Sequence, residues 1–552
     1  MIARQSIRDF DDLILALPGL APPGVVPDPT LPAAPPPVTL LSPEALPTDP
    51  DHCAIIGVID HAIPFAHPLL RTADGHSRVA SVWVQDAPAA GRVADIPFGA
   101  EWTGMQIDAA TQGGDEDRAY RAAGLMEAAR PGGAVFLRDT SHGAAVTGLA
   151  AGFAPDAAMA RQYPVLAVSM PDFSIADTSG TMSPLFIQAG VIFVIARARG
   201  LARQISAACG RRILPPVVVN LSLGITAGSP EGQSAIERLQ DAIAAIPEGD
   251  LGPVHFVLAT GNSRLDRLHG RLGPGQSVGW CLPPADPTPS ALELWPELAG
   301  QGVGLRLVSP DGLSGALDVP PGRAAVWRMV GPNGDERLRV ICRPPRDGRA
   351  ALTLIAAPTQ PEARGARRSL PGLWQVALDP NCTCACRLDI QRDDALPGFK
   401  GGGRQSRLVD PAGEGRDPAG RPLPDDLPGA IVLTRGTVSR YAGGLGQIRV
   451  GAATRDPLCV SAYAARLDDG QPGELLAIAD RSTARPGVLA PGLRGLTGQI
   501  LAGTSLAAPQ ATRWLAARLA AGDRPADRAA VVALARATGP CIDDVPLIAT
   551  PE

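Results

Sequence analysis

Val217-Val218-Val219-Asn220-Leu221-Ser222-Leu223-Gly224 is an apolar, β-branched run that ends in small and polar residues. A helix-like stretch, Ser234 to Ala245, follows it. Then comes a second apolar run, Val254-His255-Phe256-Val257-Leu258-Ala259-Thr260-Gly261-Asn262. Continuous apolar runs suit strands buried on both faces of a parallel sheet. Strand, helix, strand at these lengths predicts a doubly wound parallel α/β sheet.

The pattern extends in both directions. Upstream lie a strand-like Val165-Leu166-Ala167-Val168 and a long helix from Ser183 to Ala208. Further upstream, Cys53 to Ile59 reads as another buried strand and closes on Asp60, and Val79 to Val84 reads as a strand. A helix is expected over Arg118 to Ala129, beside an acidic cluster (Asp115, Glu116, Asp117) that reads as a solvated face. Downstream, Gly446 to Ala453 reads as a strand, and Leu506 to Ala521 and Ala526 to Ala537 as closing helices. Open α/β sheets place their chemistry outside the carboxyl ends of the strands. Asp60 and Asn262 both stand at such ends, although an aspartate there is also a common turn or cap residue.

Between about Arg264 and Pro428 the texture changes. Short β-type segments (Gly304 to Val308, Ala324 to Val330, Arg337 to Ile341, Ala351 to Ala356, Leu373 to Leu378) alternate with Pro, Gly and Asp turns. This predicts an inserted all-β domain of sandwich or jelly-roll type. Cys382, Cys384 and Cys386 alternate with Leu388 and Ile390, which predicts one face of a strand in preference to a metal site. The expected organisation is a Pro-rich arm over 1–50 with a short helix from Ser6 to Leu17, a catalytic domain in two parts (51–264 and 430–552), and the β insertion over 265–429.

The 50 basic and 55 acidic residues leave a formal charge of -5, which gives no electrostatic footprint for nucleic acid. Nine scattered cysteines fit a reducing compartment. The start of the chain has aspartates where a secretory signal would be basic, and the apolar run Leu185 to Ala196 is short for a membrane span. The expectation is a cytoplasmic protein with no membrane partner.

Two further stretches carry chemistry. In Gly503-Thr504-Ser505-Leu506-Ala507-Ala508-Pro509, a serine between small residues opens a helix. Helix starts present free N–H groups and a positive dipole end. In Ser141-His142-Gly143, continuing to Gly152, a histidine enters a helix of small residues. A serine becomes a nucleophile when a histidine takes its proton and a carboxylate orients that histidine. An asparagine amide can donate to the oxyanion. Asp60, His142, Asn262 and Ser505 supply these four parts.

With Val58-Ile59-Asp60, Ser141-His142-Gly143, Asn220 to Gly224, Ala259 to Asn262 and Gly503 to Pro509 in this order, the chain resembles the subtilisin-like serine proteases (subtilases). The resemblance covers about 51–264 and 430–522. It implies that Asp60 orients, His142 is the general acid/base, Ser505 the nucleophile and Asn262 an oxyanion donor. It also implies that Ser222, Leu223, Gly224, Ala259, Thr260 and Gly261 bind substrate, pairing with its backbone as an added strand. The expected activity is that of a serine endopeptidase acting on a protein or peptide, with a regulatory partner protein or one dedicated substrate. The alternative is a binding or scaffold protein that keeps the fold without turnover. No cofactor is expected, and no ligand spacing supports a structural calcium ion. The sequence departs from the family where Ala62 replaces a glycine two residues after the aspartate. It also shows no evident propeptide domain, and the β insertion falls where the family builds part of its specificity pocket.

Overall fold

The computed structural model describes residues 39–88, 96–111, 114–127, 135–154, 156–228, 234–246, 249–320, 324–342, 351–361, 367–396, 402–410, 427 and 429–549. The expected Ser6–Leu17 helix, and the arm as far as residue 38, lie outside these residues.

One nine-stranded sheet organises the α/β part. Its first six strands are β1 (Ile55–His61), β2 (Val79–Val84), β3 (Ala100–Thr103), β4 (Val165–Met170), β5 (Val217–Leu221) and β6 (Val254–Ala259). β1 lies between β4 and β5, parallel to both; β6 is parallel to β5, and strand Ile448–Asp456 is parallel to β6. Antiparallel pairs occur only towards the margins, β2 with β3 and Ile448–Asp456 with Cys459–Val460. All seven β1 residues are buried, as the unbroken apolar run requires. Each large aliphatic side chain buried there contributes roughly 1.5–3 kcal/mol.

Helices cover both faces. The helices His142–Ala151 and Thr504–Ala520 share one apolar cluster with β1, including Ala144, Ala145, Val146, Ala507, Ala508 and Leu515. Helices Ser183–Cys209 and Ala235–Ala244 share the other, with Ile187, Val191, Val194, Ile236 and Leu239. Ser183–Cys209 is long and apolar enough to cross a bilayer, with mean hydropathy 1.6 over one 18-residue window. Yet 56% of that window is buried inside the protein, where it packs on the sheet. The end of the Pro-rich arm joins this face: Leu40 N–H donates to Gln204 Oε1 at 3.0 Å, and the Gln204 amide donates back to Leu41 O at 2.6 Å.

The insertion is a β-sandwich. A five-stranded sheet (Ser314–Val319, Val303–Val308, Gly372–Leu378, Ser277–Leu282, Arg407–Val409) faces a six-stranded one (Ala325–Val330, Glu336–Cys342, Leu352–Ala356, Ser290–Pro296, Cys386–Ile390, His269–Leu272). Trp280, Leu294, Leu305, Trp374 and Leu388 fill the space between them. A buried charge cluster joins it to the α/β part. Asp389 Oδ1 accepts from Arg440 at 2.7 Å and from His269 Nδ1 at 2.8 Å.

Three local expectations change. Cys386, Leu388 and Ile390 do share a buried strand face, but Cys382 and Cys384 precede the strand in a half-buried turn. Asp379 Oδ1 accepts from Asn381 N–H at 2.9 Å there and bends the chain before Cys386. The expected Arg118–Ala129 helix is Glu116–Ala122, capped by Asp115. The last long helix begins at Thr504, so Pro509 falls inside it and not in its first turn. Among the described residues no cluster of acidic, His or Cys side chains could hold a metal ion.

Candidate active site

β1 stands where the chain order in the sheet reverses, which is where open α/β sheets bind ligands. Asp60, its penultimate residue, is fully buried and accepts from His61 N–H at 2.8 Å. His142 Nδ1 lies 2.9 and 3.0 Å from the two Asp60 carboxylate oxygens. This contact fixes the Nδ1–H tautomer and turns Nε2 towards the cleft.

The approach depends on local sequence. Ser141 caps the His142 helix by accepting from Ala144 N–H at 2.9 Å, and its hydroxyl donates to Ala62 O at 2.9 Å. A Cβ on Gly143 would sit 1.9 Å from His61 O, so only glycine lets the helix start meet the strand end. Ala62 sits at φ 49, in the left-handed region that glycine adopts without a Cβ penalty. The alanine keeps that backbone shape at a cost of roughly 1–2 kcal/mol.

The electrostatics favour a charged His142. Burial pushes its pKa down, but the charge and hydrogen bond of Asp60 outweigh burial, and the net shift is upward; Arg392 opposes it weakly. The neighbouring His61 is pushed down to about 4 by burial, so it stays neutral and leaves Asp60 to His142.

Ser505 is the second residue of its helix, and its hydroxyl donates to Ser222 O at 3.0 Å. Pro509 lacks the N–H that would bond the Ser505 carbonyl. Asn262 lies three residues past β6. Its Oδ1 accepts from both Thr504 N–H (2.9 Å) and the Thr504 hydroxyl (3.1 Å), leaving the Nδ2 hydrogens for a ligand. Thr504 Oγ1 also accepts from Gly261 N–H at 3.0 Å. Gly503, at φ 132, holds its Cα against Asn262, and a Cβ there would lie 3.0 Å from Nδ2.

His142, Asn262 and Ser505 line one cleft of about 900 Å³ together with Ser222, Leu223, Gly224, Ala259 and Gly261. Thr260 does not line it. Its side chain is fully buried on the other side, and only its carbonyl matters here, accepting from Ser439 N–H at 2.7 Å. Three features were not expected from sequence. Thr504 braces Asn262. Ser439 bridges the two cleft walls, its Oγ also accepting from Ile225 N–H at 3.3 Å. Arg392, Asp394 and Leu396 of the insertion form part of the cleft. Only Thr504 carried a signal, its place between Gly503 and Ser505.

Among solved structures, that of the Clostridium perfringens CspB protease aligns with 90% of this chain and 90% of its own, at a TM-score of 0.62 and 16% identity. The two share a fold. At that identity the likeness concerns architecture, the α/β sheet with its inserted β domain. A Paenibacillus sp. cycloisomaltooligosaccharide glucanotransferase, 9% identical over 63% of this chain and 59% of its own, reaches a TM-score of 0.12, too low to bear on the fold. No family model matches the sequence, and no curated protein matches it.

Proposed function

We propose that this chain is a serine peptidase that hydrolyses peptide bonds through an acyl-enzyme. The observation that carries the reading is the contact of His142 Nδ1 with both Asp60 oxygens, in a cleft shared with Ser505 and Asn262. The fold shared with a protease supports it.

In this reading substrate binding arms the nucleophile. The Ser222 carbonyl, which now holds the Ser505 hydroxyl, is the acceptor that an added substrate strand needs. When a substrate N–H takes it, Ser505 Oγ turns to His142 Nε2. Oγ attacks the carbonyl carbon while Nε2 takes its proton, and Asp60 stabilises the imidazolium. The oxyanion receives hydrogen bonds from Asn262 Nδ2 and the Ser505 backbone N–H. The C–N bond then breaks as His142 returns the proton to the leaving amine. Water, deprotonated by His142, hydrolyses the ester. The substrate is a protein or peptide, and a regulatory partner or one dedicated substrate fits a cleft partly walled by the insertion.

The test is a fluorophosphonate probe with intact-mass analysis. One adduct is expected on the wild type and none on Ser505→Ala; no adduct on the wild type, or equal adducts on both, overturns the reading. The alternative, a binding protein without turnover, draws on the Ser505 hydroxyl being turned to Ser222 instead of His142. A wild type that binds peptide but takes no adduct would establish it.

A further inference from the structure

The inserted sandwich enters the cleft at one place. Past strand Cys386–Ile390, the chain Gln391-Arg392-Asp393-Asp394-Ala395-Leu396 runs along the cavity that His142 and Ser505 line. Two hydrogen bonds tie it to separate segments that line the cleft. The Thr226 hydroxyl donates to Ile390 O at 2.8 Å, and the Thr178 hydroxyl donates to Asp394 O at 3.2 Å. Thr226 continues the wall begun by Ser222, Leu223 and Gly224. Thr178 also lines the cleft, from the connection between helices Asp172–Ala176 and Ser183–Cys209. The segment is braced from within. Arg392 pairs with Asp394 at 2.6 Å, Asp393 accepts from the Thr288 hydroxyl at 2.8 Å, and Asp393 N–H donates to Gln405 Oε1 at 2.8 Å.

We propose that this strap closes the groove on the amino side of the scissile bond, so that the enzyme accepts at most four residues before the bond and trims polypeptides near their N-termini. The proposal rests on the peptidase reading above and narrows its substrate to chain ends.

The register follows from the wall. Ser222 marks the scissile position, because its carbonyl touches Ser505 Oγ. A strand added antiparallel to the wall meets backbone partners at every second residue. Ser222 then faces the first substrate residue before the bond, Gly224 the third and Thr226 the fifth. In an extended chain, at about 3.3 Å per residue, the fifth position falls at most roughly 13 Å from the first, and the wall bends at Thr226. At that place the position is taken by Ile390, and the backbone from Ile390 to Asp394 runs on to its second anchor at Thr178. A fifth substrate residue meets the protein's own strap.

A peptide ladder tests this. One scissile bond with a constant carboxyl side is preceded by two, four, six or eight residues. For the wild type, kcat/KM should rise to four residues and fall at least tenfold at six and eight. A Thr178→Val, Thr226→Val double variant removes both anchoring donors and leaves the sandwich core untouched. In it, the six-residue peptide should come within threefold of the four-residue one. A flat or rising wild-type ladder overturns the strap, as does a drop of equal size in the double variant. No hydrolysis at any length, together with no fluorophosphonate adduct on Ser505, overturns the peptidase reading and the strap with it.

Discussion

Thr504 grips Asn262 twice, through its backbone N–H and its hydroxyl, at 2.9 and 3.1 Å from the same Oδ1. On the proposed mechanism, the residue before Ser505 therefore aims the side chain that would meet the oxyanion. Thr504 is fully buried, so water cannot replace its hydroxyl.

Asn262→Ala should lower kcat about 10²–10³-fold with little change in KM, as loss of one oxyanion donor does. Thr504→Val keeps the backbone donor and removes the hydroxyl, which also deprives Gly261 N–H of its acceptor. It should lower kcat about tenfold, a barrier change of about 1.4 kcal/mol. Steady-state kinetics on a peptide decide the point, and a rise in KM at constant kcat would contradict this role for Thr504.

His142 must be neutral to take a proton, and Asp60 raises its pKa above the usual 6.5. Activity should therefore climb with pH through a midpoint above 6.5. Stability runs the other way. The charged His142–Asp60 contact contributes fully below the unfolded pKa and is lost as pH rises through the folded one. Asp60→Asn leaves burial and Arg392 unopposed, so the midpoint should fall below 6.5 while kcat drops about 10⁴-fold. A pH–rate profile of each protein, with NMR titration of the His142 ring, measures both shifts.

Gly143→Ala places a methyl 1.9 Å from His61 O, a backbone atom that cannot swing aside. The helix must lift from β1, taking His142 away from Asp60. Overpacking of this kind costs about 1–3 kcal/mol. Thermal unfolding should show that loss, and fluorophosphonate labelling of Ser505 should slow far more than the stability change explains.

Asp389 is fully buried between Arg440 and His269, so Asp389→Ala strands a buried guanidinium. A loss of about 3–5 kcal/mol is expected. Because Arg440 follows Ser439, peptide KM should rise as well. Chemical denaturation and kinetics on the same preparation test the pair of effects, and a stability loss with unchanged KM would separate the sandwich from the cleft.

The places of the four candidate residues were legible because each sits at the end of an element whose type is set locally. Asp60 ends an unbroken apolar run, His142 follows a capping serine, Asn262 follows a second such run, and Ser505 opens a helix of small residues. Their neighbours were less legible. The brace from Thr504 to Asn262 joins positions separated by the whole insertion. Thr260 alternates towards the interior, which a motif reading cannot tell from facing the cleft. Cys382 and Cys384 fit a strand by their period of two, but the Asp379–Asn381 turn outweighs that pattern. The strap was least legible of all, because Arg392 and Asp394 gain meaning only from Thr178 and Thr226, which lie far away in sequence.

The sandwich interrupts the chain between Asn262 and Ser505, and this sets the order in which the centre is made. Asp60, His142 and Asn262 leave the ribosome first, and the whole insertion must follow before Ser505 is translated. Until then the nascent protein holds a base and an oxyanion donor but no nucleophile. On the peptidase reading, the chain is thus kept harmless to itself while it grows and to its neighbours on the polysome, a safeguard that comes from residue order alone.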